Sequence, residues 1–385
     1  MKLNRRLIPI YVGFFAQGLV FWYAIEKLFM MSIGFNTFLI GVMIAIYSTI
    51  TLLTEIPSGI LADRWSRRGV LILSSLALAA SSLIGALSND VAIYLISSSF
   101  WGLYLSLSSG VTESIVYDLL IETGETKKNY EKYIARVNIS SSLALIIGGL
   151  TGSIIGQYLG LDKAYLLSIP ASLISILFFA IFKEPKEHLK SQEASLLKHT
   201  KETFAIIASN INLIQLSLML ILSGMILSIF MEASQLWLIA IVAPIVFYGP
   251  LNAAVCSSYG LSGVLSNYVK SKKRLVIALA ISLIVLIVLI FTRNVFYIIF
   301  AITVISIIIQ SIDIVILHKI NNYLPSKTRA GSISVMSAAK RLTIIPISLL
   351  FGSLASAFGI FSSTWFIVII MIVIIITILF VQDKS

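Results

Sequence analysis

The sequence predicts an all-α membrane protein with twelve transmembrane helices in two six-helix halves. Three observations lead there: an apolar composition, apolar runs of helical length, and one long polar stretch near the middle. Of the 385 residues, 58% are hydrophobic and only 12% are charged, and the mean hydropathy is +1.00. Soluble domains carry about 25% charged residues, and no water-soluble fold of this size hides so much apolar surface. In lipid, every backbone N–H and C=O needs an internal partner, so the spanning segments are helices or a closed barrel. Continuous apolar runs near twenty residues fit helices, whereas barrel strands show about ten alternating residues.

Charges and turn residues cut the chain into spans. The basic segment Met1–Arg6 precedes span 1, about 7–30, which continues without a small-residue cleavage site and so reads as a membrane helix rather than a leader. Span 2, about 37–61, ends at the charged run from Asp63 to Arg68, and span 3, about 69–88, ends at Asn89 and Asp90. Spans 4, 5 and 6 follow at about 91–121, 133–160 and 164–182. The second set covers about 203–231, 235–268, 274–292, 295–322, 331–358 and 362–381. Between the sets, 183–202 includes Glu184, Pro185, Lys186, Glu187 and His188 and reads as a linker between halves 1–182 and 203–385.

Short loops rich in Lys and Arg stay in the cytoplasm. With both termini inside, 23 of the 28 basic residues fall on the inner side; Lys27, Lys163 and Arg293 lie outside, and Lys340 and Arg341 lie within span 11. The expected location is the cell inner membrane, multi-pass, with cytoplasmic termini.

Several function classes are excluded. The net charge of +11 is scattered between apolar runs instead of forming a nucleic-acid-binding face. A single cysteine, Cys256, precludes an intramolecular disulfide. No metal-ligand cluster, nucleophile-base pair or phosphate-binding glycine loop stands at suitable spacing, so neither an enzyme nor a cofactor is expected.

After span 2 the chain reads Gly59-Ile60-Leu61-Ala62-Asp63-Arg64-Trp65-Ser66-Arg67-Arg68. This resembles the cytoplasmic signature of the major facilitator superfamily, Gly-x-Leu-Ala-Asp-Arg-x-Gly-Arg-Arg, with Ser66 in the place of the second glycine. By chemistry alone, Gly59 permits close helix approach, Asp63 suits a helix N-terminus, and the arginines suit carboxylates or lipid phosphates. The loop after span 8 echoes it from Gly263 through Leu265, Asn267 and Lys270 to Lys272. The resemblance implies a rocker-switch transporter with its substrate site between two repeats near the bilayer midplane. It also implies a latch of Gly59, Asp63, Arg64, Arg67 and Arg68 with Asp118 on span 4; Arg136 lies at the depth of Asp118 and is an alternative partner. Two features of the superfamily's drug/proton antiporters are missing. Span 5 has Gly148, Gly149, Gly152, Gly156 and Gly160 but no proline, and span 4 holds no Arg or Lys.

An ionised side chain at the bilayer centre costs at least about 2.5 to 3.5 kcal/mol, so each one in a span needs a partner or a purpose. Asp313 on span 10 matches the depth of Lys340 and Arg341 on span 11, which predicts an ion pair that leaves one positive charge over. Glu113 shares a helical face with Gly102, Ser106, Ser109 and Tyr117 and has no base at its depth in spans 3 and 5, which makes it a proton-binding candidate. Glu26 with Trp22 on span 1 resembles an acid-plus-aromatic cation site; Glu232 occupies nearly the corresponding place on span 7, and both also fit solvated rim carboxylates. Gln17 and Asn138 are further pocket candidates, with Gln215 and Gln310. Glu55 is expected to support the latch. His188, His199 and His318 lie near the cytoplasmic surface, away from any midplane relay.

The expected partners are a small-molecule substrate, protons as the coupling ion and the lipid bilayer, with the chain as a monomer. The leading reading is proton-coupled efflux of small amphipathic or cationic compounds, carried by acids without matched bases in the first half. The alternative is proton-linked or facilitative uptake of a small nutrient or organic anion, favoured if Lys340 or Arg341 faces a cavity. A receptor or scaffold without transport would require a sealed centre.

Overall fold

The computed structural model describes residues 3–124, 129–185, 210–323 and 329–381, and all regular elements among them are helical. They are α1 (Leu3–Gly18), α2 (Glu26–Ser32), α3 (Thr37–Arg64), α4 (Arg67–Leu87), α5 (Val91–Ser108), α6 (Val111–Glu122), α7 (Tyr130–Tyr158) and α8 (Leu161–Ile181). After residue 210 come α9 (Ile211–Ala233), α10 (Gln235–Ala240), α11 (Tyr248–Ser266), α12 (Lys272–Phe291), α13 (Val295–Tyr323), α14 (Arg329–Phe358) and α15 (Ile360–Phe380). Eleven segments among the described residues are long and apolar enough to cross a membrane. The chain is an all-helical, multi-pass membrane protein, as its apolar runs predict. Most of the linker, including His188 and His199, lies outside the described residues.

Three spans differ from the sequence reading. Span 1 is discontinuous: α1 stops at Gly18, and a single 3-10 turn over Tyr23–Ile25 leads into α2. The Phe21 amide, with no helical acceptor, donates to Ser168 Oγ at 3.0 Å. Glycines of α7 make room for this break: a Cβ on Gly152 would collide with the Phe21 carbonyl, and one on Gly148 would stand 3.1 Å from Val20 N. Span 4 is also broken, because Gly110 adopts φ +73° and separates α5 from α6. Finally, residues 235–240 form α10, a continuation of span 7, and span 8 begins only at Tyr248; the intervening turn holds Val242 at φ +53°. None of these breaks carries a charge, so an apolar run conceals them.

The chain forms two compact units. The first comprises Met1–Asn36, Met43–Ser191 and Pro244–Cys256, and the second Thr37–Val42, Gln192–Ala243 and Ser257–Ser385. In the first, α4 packs on α5 and α8, and α1 packs on α7 and α8. Its core joins Leu7, Ile10, Leu71, Ile115, Leu119, Val137 and Phe179. In the second, α9 packs on α13, α14 and α15, while α12 packs on α13 and α15.

A candidate solute-binding site and a buried charge network

In the second unit, α13 places Asp313 between α9 and α14. Ser223 Oγ donates to Asp313 Oδ1, and Lys340 Nζ donates to Oδ2. The pair expected from matched depth is therefore formed. Gly224 gives the lysine stem its room: a Cβ there would stand 2.5 Å from Lys340 Cε and make that side chain shift. The pair is not sealed: 29% of the Lys340 side chain and 11% of the Asp313 side chain remain exposed. Both line a cavity of about 440 Å³ together with Ser228, Glu232, Tyr259, Gln310 and Arg341, while Leu227, Met231 and Ile344 supply apolar wall. Ser258 Oγ donates to Gln310 Oε1 at 3.2 Å and orients that amide. Five residues singled out by sequence, Glu232, Gln310, Asp313, Lys340 and Arg341, thus meet in one cavity. Ser223, Gly224, Ser228 and Tyr259 escaped the sequence reading; an adjacent Ser223-Gly224 pair inside an apolar helix was the available signal.

Two ion pairs of the first unit, Glu26–Lys27 and Arg67–Asp118, are enclosed. Glu26 and Lys27 are 6% and 2% exposed and form an ion pair, which corrects the reading of Glu26 as a solvated rim carboxylate. Tyr94 Oη donates to Glu26 Oε1 at 2.9 Å and lies 2.8 Å from Tyr165 Oη. Trp22 stacks on Tyr165 at 4.9 Å and 2° and donates its indole N–H to Ser82 Oγ at 3.0 Å. With Trp22 only 2% exposed, this group has no open face for a cation. Gln17 is likewise internal, donating to Ser74 and Ser75 at 2.9 and 3.1 Å.

The motif residues assemble as a network. Arg67 pairs with Asp118 in a buried contact and reaches Asp63 at 3.5 Å. Arg136 is not the partner of Asp118; it lies exposed on α7, over the Tyr133 ring at 5.7 Å. Glu184, read by sequence as part of the linker, accepts from the Arg68 amide at 2.7 Å and from Ser66 Oγ at 3.1 Å. Ser66 is the N-cap of α4, accepting from Gly69 N. The serine that departs from the family pattern therefore holds both a helix start and Glu184. Gly59 meets nothing within 4 Å, so close helix approach is not its role here. Glu55 accepts from Ser109 Oγ at 3.3 Å, on the motif side of α3.

Glu113 departs from the buried face expected for it, and Asn138 does not line either cavity described for this chain. Both are exposed. The stripe from Gly102 to Tyr117 presumed one continuous helix, and the Gly110 break resets its phase, leaving Glu113 in the first turn of α6, where a carboxylate favours the helix dipole. Among the described residues, no group of three His, Cys, Asp or Glu side chains is placed to hold a metal ion.

A multi-pass helical fold with a charged cavity inside one unit defines a membrane transporter class. The chain belongs to the Major Facilitator Superfamily, whose model matches residues 7–318. It is 27% identical over 169 residues to the inner membrane transport protein YajR of Escherichia coli, a match covering 43% of this chain and 35% of that one. It is 27% identical over 168 residues to a probable sugar efflux transporter of Pasteurella multocida, covering 43% and 39%. An uncharacterized transporter of Buchnera aphidicola is 29% identical over 165 residues, covering 42% and 40%. The chain thus spans about two-fifths of the length of these relatives. Among solved structures, the nucleoside transporter NupG superposes with a TM-score of 0.80 at 14% identity, covering 100% of both chains. A bacterial homologue of the lysosomal transporter Spinster gives 0.74 at 13% identity, covering 100% of this chain and 98% of that one.

Proposed function

We propose that the chain is a secondary transporter of a small polar solute, neutral or zwitterionic, bound in the cavity of the second unit, with the proton as coupling ion. The observation that carries this reading is the Asp313–Lys340 pair lining a cavity of about 440 Å³ beside Glu232, Arg341 and Gln310. Two acids and two bases make a lining of no net charge, with hydrogen-bonding groups of both kinds. Such a surface suits a hydroxyl-, amide- or carboxylate-bearing solute better than an amphipathic cation. Export of cations drew its support from acids without bases, and Glu26 has Lys27.

Coupling follows from the pair. A solute group that takes Lys340 removes the cation from Asp313 and leaves that carboxylate to exchange the cation for a proton. Solute and proton then load together, while Ser223 continues to orient the carboxyl. The relatives named as a sugar efflux transporter and a nucleoside transporter support glucose and uridine as first probes. In proteoliposomes with an imposed pH gradient, one of the two is expected to move, and movement of ethidium alone would overturn the reading.

A further inference from the structure

A second cavity, of about 530 Å³, lies in the first unit between α3, α4 and α5. Its α3 wall is Thr54, Pro57, Ser58 and Leu61, one helical stripe, faced by apolar residues of α4 and α5 that include Leu76 and Ala77. The two hydroxyls are already committed. Thr54 Oγ1 donates to the Ile50 carbonyl at 2.6 Å, and Ser58 Oγ donates to the Glu55 and Ser106 carbonyls at 2.9 and 3.1 Å. This groove offers a ligand nothing but hydrocarbon contact.

The stripe continues past Leu61 to Arg64 and Trp65, three and four residues on. Trp65 is 58% exposed, and Arg64 is exposed. Arg67 is held by Asp118 and Arg68 by Ala180, whereas Arg64 makes no ion pair among the described residues. Ten residues separate Thr54 from Arg64, a rise of about 15 Å at ~1.5 Å per residue. That is half of the ~30 Å hydrocarbon core, the depth of one leaflet.

We propose that this groove holds an acyl chain of an anionic phospholipid of the inner leaflet, whose headgroup phosphate pairs with Arg64 while Trp65 sits at the interface. A one-leaflet apolar groove capped by an uncommitted guanidinium and an interfacial tryptophan matches that ligand in length, polarity and charge. The leaflet follows from the Lys and Arg bias, which puts the Arg64 end in the cytoplasm. Neither the solute cavity nor its residues enter the inference.

The test is native mass spectrometry of the full, delipidated chain titrated with phosphatidylglycerol and with phosphatidylcholine of the same acyl chains. Phosphatidylglycerol is expected to bind about tenfold more tightly. Ala77→Trp, which fills the groove, should weaken its binding about tenfold, and Arg64→Gln should reduce it to the level of phosphatidylcholine. Ala80→Phe fills the same groove from the next turn of α4 and replaces Ala77→Trp if that variant fails to fold. Equal binding of the two lipids to the unaltered chain would overturn the proposal as annular lipid only. Phosphatidylglycerol binding that is undiminished in a folded groove-filling variant would overturn it as headgroup contact alone.

Discussion

Two ion pairs of the first unit close upon themselves, whereas the Asp313–Lys340 pair of the second borders open space. Glu26 with Lys27 and Arg67 with Asp118 are enclosed, with Tyr94 and Asp63 filling further bonding positions. The Asp313–Lys340 pair keeps 29% of its lysine exposed, and its cavity admits further polar groups. A buried pair without an open face is weak evidence for stability and none for binding, since hydrophobic replacements often serve as well. A pair on a cavity wall can exchange one partner for a solute. On the proposed reading the second unit carries the chemistry and the first the architecture, and that contrast is open to attack from both sides.

The largest effect is expected at Lys340→Ala. Truncating one member of a hydrogen-bonded charge pair costs about 2 to 5 kcal/mol, which corresponds to a loss of solute binding of ~30-fold or more. Binding and uptake measured at matched protein levels check this, and unchanged values would move the site elsewhere. Arg67→Ala should act on stability instead, by about 3 to 5 kcal/mol, because Asp118 is left charged and buried. Thermal unfolding in detergent reads that loss, and solute KM should stay within about twofold. A KM shift as large as that of Lys340→Ala would merge the two units' roles.

The sequence made some of this legible for a definite reason. Asp313 and Lys340 are charges in otherwise apolar helices, so depth alone pairs them, and twelve spans follow from run length. The enclosure of Glu26 with Lys27 was not legible because a lysine beside a glutamate near a span's end looks the same whether solvated or enclosed. Tyr94 and Tyr165 left no trace, since an aromatic residue in an apolar run carries no sign of its hydroxyl's partner. Glu113 was drawn onto a buried face by helical spacing that Gly110 interrupts, and a left-handed residue at φ +73° is not encoded in that spacing.

Smaller effects sharpen the same contrast. Trp22→Phe keeps the stack on Tyr165 but loses the bond to Ser82, for about 1 kcal/mol of stability. Ser66→Gly restores the family residue yet removes a cap and the contact with Glu184, for about 0.5 kcal/mol, read as a lowered melting temperature. Glu113→Gln should change stability by less than about 0.5 kcal/mol. It should also leave pH-driven uptake intact, and an abolished gradient response in that variant would return the proton site to the first unit.

The most direct measurement compares Lys340→Gln, Asp313→Asn and the double variant for thermal stability and for pH-driven uptake of the solute that moves, glucose or uridine. Each single change leaves one charge unpaired in the cavity wall, while the double variant replaces the ion pair with two neutral amides that can hydrogen-bond each other. If the pair binds cargo and proton, the double variant regains stability and stays inactive. Recovery of uptake along with stability would show the pair to be a strut, and the cavity of the second unit would lose its claim as the transport site.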